Sequence, residues 1–163
     1  MAFEQETKIY RFQQGYAEGL LKDLDASKAF ELICSGGVSP AWIIGHLALV
    51  SNNVTAILGG TPKVDIDAWG PLFGGGSTAS ADAAGYPSWD ELLTAFREGH
   101  GLITAAVEGA TAEQQAQPNP IEMLREGLPT MGDFLSFVTT SHVALHLGQL
   151  STWRRVQGQA PLF

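Results

Sequence analysis

Apolar side chains recur at Ile9, Phe12, Tyr16, Leu20, Leu24 and Phe30 with spacings near three and four, the period of a helix with one buried face. The pattern predicts a first long helix that ends at the Gly36-Gly37 pair. Ser39-Pro40 then reads as an N-cap followed by proline at the first helical position, where its missing N–H costs no hydrogen bond. The second helix is expected to run to about Gly59-Gly60. Its stripe is Trp42, His46, Leu49, Val50, Asn53 and Ile57, so a histidine and an asparagine interrupt an otherwise apolar face.

From Thr61 to Pro87 the chain is rich in Gly, Ser, Ala, Asp and Pro. It shows neither helical nor strand period and is expected to be a long loop, a feature that in a small domain is usually functional or mobile. Ser88-Trp89-Asp90-Glu91 has the form of a capping box, and Trp89, Leu92, Leu93, Phe96, His100, Ile103 and Val107 continue a third helical stripe behind it. Thr111 to Pro129 holds three prolines and reads as a second crossing, with a short helical turn at 121–124. Thr130-Met131-Gly132-Asp133 caps a fourth helix, along which Phe134, Val138, His142, Leu145, His146, Gln149 and Trp153 share one side. Arg154 and Arg155 suit the negative end of its dipole, and Gly158 suits a terminator.

No segment of period two and no internal repeat is found. The expectation is therefore an all-α protein, four helices packed as a bundle in a single domain over residues 1–163. That length is ordinary for one core.

Charge narrows the function classes. Nine basic and seventeen acidic residues give a net charge of −8, a field that repels nucleic-acid backbones and anionic lipid surfaces. No basic, apolar leader opens the chain, and no run of about 18 apolar residues occurs. A cytoplasmic protein acting on small molecules is expected, with no nucleic-acid or membrane partner. Cys34 is the one cysteine; it can form no intramolecular disulfide and is expected to be a small buried hydrophobe.

The histidines carry the candidate chemistry. His142 and His146 lie four apart, which on a helix brings both rings to one face with Cβ atoms about 5–6 Å apart. His46 sits mid-stripe on the second helix, where an unpaired polar ring would cost roughly 1–3 kcal/mol. One divalent metal shared by His46, His142 and His146 accounts for all three. The alternative is a set of core histidines satisfied by hydrogen bonds. Gln149 and Asn53 share the faces of these histidines and are candidates to orient a ligand or touch a substrate, against a plain role at the solvent edge. His100 reads either as a fourth ligand or as a core or rim histidine. Trp69, beside Pro71-Leu72-Phe73 in the glycine-rich segment, reads as a lid over the bundle mouth or as a hydrophobic anchor for the loop. Three imidazoles with open positions suit zinc, nickel, iron or copper.

Trp42-Ile43-Ile44-Gly45-His46-Leu47 and Ser141-His142-Val143-Ala144-Leu145-His146-Leu147-Gly148-Gln149-Leu150, followed by Arg154-Arg155-Val156-Gln157-Gly158, resemble the DinB-like (DinB/YfiT-like) family. The resemblance spans essentially the whole chain. It implies an up-down-down-up four-helix bundle with long crossover loops. It also implies a divalent metal held by His46, His142 and His146, and assembly as a homodimer. The activity it implies is a metal-dependent thiol S-transferase or isomerase using a low-molecular-weight thiol, with hydrolysis as another possible outcome. A non-catalytic metal-binding or stress-response module is the reading from a different class. The long Gly/Ser/Pro segment departs from the common family pattern.

Overall fold

The computed structural model describes residues 3–162. Helix α1 spans Glu4–Leu21 and α2 spans Pro40–Ile57. The following crossover carries α3, Ile66–Phe73. Helix α4 spans Trp89–Gly109, α5 is the short Ala112–Ala116, and a 3₁₀ turn occupies Glu122–Leu124. The last helix is built of α6 (Met131–Phe137), a π-helical turn (Val138–His142) and α7 (Val143–Val156), joined end to end. No strand forms among the described residues; the one β contact is an isolated bridge between Pro118 and Thr130.

The directions of the four long helices follow from their contacts. Glu6 meets Ser136, Gln13 meets Thr140, and Arg154 donates to the Leu20 carbonyl, so α1 and the last helix run parallel. Arg11 pairs with Glu108 and Arg97 with Glu18, so α4 runs against α1. Gly99 packs on Ala48 and Ser51 of α2, while Gln114 beyond α4 reaches the Leu58 carbonyl beyond α2, so α2 and α4 are parallel. The order is up-down-down-up. Because α2 and α4 point the same way, the chain between them must return along the bundle. That return is the 58–88 crossover.

Capping residues stand where the sequence placed them. Ser39 Oγ accepts from Trp42 N–H, and reciprocal capping boxes form at Ser88/Glu91 and Thr130/Asp133. Gly158 takes φ +80° just past α7, the left-handed conformation that ends a helix. Helix α2 is buried on nearly its whole circumference, as befits a helix covered by α3, α4 and α7 at once.

Several expectations are corrected. Helix α1 stops at Leu21 and does not continue to the glycine pair. Asp25 there turns its carboxylate back onto Ser27 N–H and Oγ, 2.9 and 2.7 Å, which caps a new 3₁₀ turn at Ala26–Lys28 in place of another α-turn. Its buried face is Thr7, Tyr10, Ala17, Leu20 and Leu21; Ile9 and Phe12 are exposed. Leu145, placed on the inner side of the last helix by its period, is likewise exposed. Cys34 is exposed, not buried, in the α1–α2 connection. Arg154 is buried, and its Nη1 donates at 2.6 Å to the Leu20 carbonyl, one of the acceptors that a helix end leaves unpaired. The segment 61–87 is not wholly loop, since Asp65 caps α3 through Asp67 and Ala68 N–H. No helix among the described residues is long and apolar enough to cross a membrane.

Candidate metal centre

Two parallel-sided facts bring the histidines together: α2 and the last helix are neighbours, and they run in opposite directions. His46 in the middle of α2 therefore faces His142, at the end of the π turn, and His146, one turn into α7. Ligand-capable nitrogens of the three lie within 4.8 Å of one another, and ring centroids are 4.5 to 5.1 Å apart.

Each ring is held differently. His46 Nδ1 lies 2.6 Å from the Phe73 carbonyl oxygen, so Nδ1 carries the proton and Nε2 is left bare toward the cluster. Trp42 stacks on the same ring, centroids 4.9 Å apart and planes within 6°. Trp42 Nε1 in turn donates to Ser77 Oγ at 2.9 Å, and Ser77 Oγ donates to the Leu72 carbonyl. The crossover thus grips His46 by its ring nitrogen and by its stacking partner. His146 Nδ1 donates to Gln149 Oε1 at 2.8 Å, which again leaves Nε2 free. His142 Nε2 stands 3.0 Å from His46 Nε2, while its Nδ1 is buried without a partner. Gln13 Nε2 reaches across from α1 to the Thr140 carbonyl at 3.0 Å, inside the π turn that delivers His142. Such turns recur at functional sites.

All three rings are neutral bases in the neutral range. Burial, then the neighbouring His146 and His46, pushes His142 down to about 3. Burial and the His46 ring push His146 to about 4, against the Gln149 hydrogen bond. Burial also lowers His46, although the Phe73 carbonyl opposes it. Neutral imidazole is the form that ligates a metal. Two nitrogens each about 2.0–2.1 Å from one tetrahedral ion lie roughly 3.3 Å apart, close to the observed His46–His142 separation. With the outer nitrogens of His46 and His146 tied to a carbonyl and an amide oxygen, as metal-ligating histidines usually are, the residues fit a divalent cation with at least one open position.

A cavity of about 360 Å³ opens beside His46 and His142. Its walls are apolar side chains of α2, α6 and the 121–124 turn, with the backbone of Gly74 and Gly75 on one side. Asn53 contributes an amide to this wall, which places one of the two candidate substrate contacts at the cavity and the other, Gln149, on His146. The remaining candidates stand elsewhere. His100 stacks on Tyr10, 4.2 Å between centroids and 1° between planes, with Nε2 3.2 Å from the Tyr10 carbonyl; it is a core histidine between α1 and α4. Trp69 is half-buried, packed against Phe73 at 5.2 Å between ring centroids, and lines a different groove with Lys63, Asp65 and Asp90. It anchors the crossover and does not cover the cavity.

The Phe73 carbonyl and the Trp42 stacking were not singled out from the sequence, and Gly45 entered there only as part of the motif around His46. Gly45 matters because a Cβ there would come within 2.7 Å of three Phe73 ring carbons. The signal existed: Ile66, Trp69, Leu72 and Phe73 follow a helical period behind a capping Asp65, masked by Gly70 and Pro71. Neighbouring Asn52, not Asn53, is the fully buried amide; it accepts from Lys63 N–H at 2.6 Å and donates to the Ala48 carbonyl, fastening the start of the crossover.

No curated protein and no solved structure shows a significant match to this chain. A family profile does: that of the DinB superfamily, over residues 9–150. The chain, an all-α bundle with a three-histidine cluster that could hold a metal ion, belongs to the DinB superfamily.

Proposed function

We propose that this protein is a metal-dependent thiol S-transferase acting on small electrophilic molecules. The observation that carries the reading is a cluster of three neutral histidines, two of them with their outer nitrogens engaged, opening onto an apolar cavity. His46, His142 and His146 would hold the ion, most simply through Nε2 at His46 and His146. A divalent cation there would supply the positive charge that keeps a thiol deprotonated at neutral pH.

The remaining work falls to the chain itself. The Phe73 carbonyl and Gln149 keep His46 and His146 in the tautomers that present Nε2, and Trp42 fixes the plane of His46. The apolar walls exclude water from the electrophile. In the transfer the thiol loses its proton and its sulfur forms a bond to an electrophilic carbon; the displaced bonding pair departs with the leaving group in a substitution, or stays on the product and takes up a proton when an epoxide opens or an enone is added to. Among the residues lining the cavity only His46, His142 and Asn53 bear polar side chains, so no separate general base is assigned. The position of His100 outside the cluster also favours an open site over a closed four-histidine cage, which would suit a purely structural ion.

The test is to load the protein with zinc, nickel or iron. Glutathione, bacillithiol, mycothiol and cysteine are then each offered with 1-chloro-2,4-dinitrobenzene and with a panel of epoxides and enones. Thiol consumption that depends on metal and disappears in the His46→Ala/His142→Ala/His146→Ala variant is expected. Turnover no greater than that of the triple variant would refute the reading.

A further inference from the structure

The cavity is chemically one-sided. Leu49, Val50 and Ile57 of α2 face Phe134 of α6 and Ile121 and Leu124 of the second crossing. No Lys, Arg, Asp or Glu is among the residues that line it. Away from the histidine end, where a bound cation would sit, a charged group brought against these walls loses its hydration and finds no counter-charge among them, a penalty that pairing or a neutral form must remove. The net charge of −8 offers no long-range compensation for an anion. The volume, about 360 Å³, lies at the small end of the range for small-molecule sites, about 300–1,000 Å³.

We infer that the walls of the cavity select the electrophile: away from the histidine end they take an uncharged, largely apolar body, positioned by one hydrogen bond to the Asn53 amide, and reject analogues of the same shape that carry an anionic or cationic group against them. This rests on reading the histidine cluster and the cavity as one site. Any charged portion of a thiol co-reactant lies outside this space, on the side of the cluster where His146 and Gln149 stand. His146 does not line the cavity, and Gln149 is exposed.

The two claims separate experimentally because selectivity is read on metal-free protein. 1-Octanol, octanoate and octylammonium are titrated into the full chain by calorimetry, with backbone NMR shifts locating the response. The alcohol is expected to bind at least tenfold more tightly than either ion and to perturb Val50, Asn53 and Leu124. Val50→Phe, which fills the space, should weaken the alcohol at least tenfold. Ile57→Lys, at a rim position already 46% exposed and so tolerant of change, should raise the octanoate-to-octanol affinity ratio at least tenfold. If Val50→Phe does not fold, the wild-type selectivity and Ile57→Lys decide. Equal binding of an ion and the alcohol, an unaltered ratio in Ile57→Lys, alcohol binding unaffected by Val50→Phe, or no binding of any probe would overturn the inference. Failure of the thiol assay with this selectivity intact would sink only the S-transferase reading.

Discussion

Phe73 and His46 are joined by a 2.6 Å contact from the His46 ring Nδ1 to the Phe73 carbonyl, so the crossover that returns the chain along the bundle also sets the tautomer of a candidate ligand. The contact requires Gly45. Phe73 is fully buried, with its ring carbons where a Cβ on residue 45 would stand.

Gly45→Ala tests that relationship. Alanine in a helix interior ordinarily gains roughly 1 kcal/mol over glycine, but forcing a methyl into the Phe73 ring costs about 1–3 kcal/mol. The expected net result is a lower melting temperature and, because the carbonyl moves off Nδ1, a metal affinity reduced about 10–100-fold. Competition with a chelator measures the affinity; an unchanged value would show that the Phe73 carbonyl does not orient His46.

Gln149 makes the corresponding contact to His146 from an exposed position. Gln149→Ala should therefore leave stability within about 0.5 kcal/mol, as exposed substitutions do, while weakening metal binding about tenfold. Gln149→Glu, which still accepts from Nδ1, should restore it. Equal affinity in all three proteins would make Gln149 a bystander.

Much of this arrangement was legible in the chain because its signals are local. Ser39-Pro40, Ser88/Glu91 and Thr130/Asp133 announce helix starts by side-chain chemistry that operates over three residues. The four-residue spacing of His142 and His146 places them on one face wherever the helix goes. His46 joined them because an isolated polar ring on an apolar stripe needs a partner. What was not legible depends on distance. The Phe73 carbonyl is backbone, and no residue type advertises it. Phe12 and Leu145 have the period of core residues but lie outside, since period fixes a face and not which neighbour covers it. Arg154 read from the sequence as a complement to the dipole of its own helix, whereas its buried partner is the Leu20 carbonyl at the end of α1.

His100 supplies a negative control. Its ring stacks on Tyr10 and contacts the Tyr10 carbonyl, away from the other three. His100→Ala should cost about 1–3 kcal/mol of stability through lost packing and hydrogen bonding, yet keep metal stoichiometry and affinity unchanged. Loss of metal by a variant that remains folded by circular dichroism would return His100 to the site.

The pH dependence of the metal-free protein follows from bases whose proton affinity folding lowers. His142 falls to about 3 and His146 to about 4 from an ordinary 6.5, chiefly through burial. Above 6.5 both the folded and unfolded chains leave these rings neutral, so they contribute no pH dependence. Below 6.5 the unfolded chain takes up protons that the folded chain refuses, and stability falls as pH falls. The slope is at most about 1.4 kcal/mol per pH unit for each ring, and it persists until the folded rings titrate near 4 and near 3. Carboxylates held low by capping and ion pairing, such as Glu91, Asp133 and Glu18, lose their contribution only at more acid pH. The window from 6.5 to 5 therefore belongs to the histidines. Urea unfolding across that window should show stability declining with acid in the wild type and a flatter curve in His142→Asn/His146→Asn. A wild-type curve no steeper than that of the variant would mean that the two rings are solvated in solution, and with them the preformed, neutral ligand set on which the metal site depends.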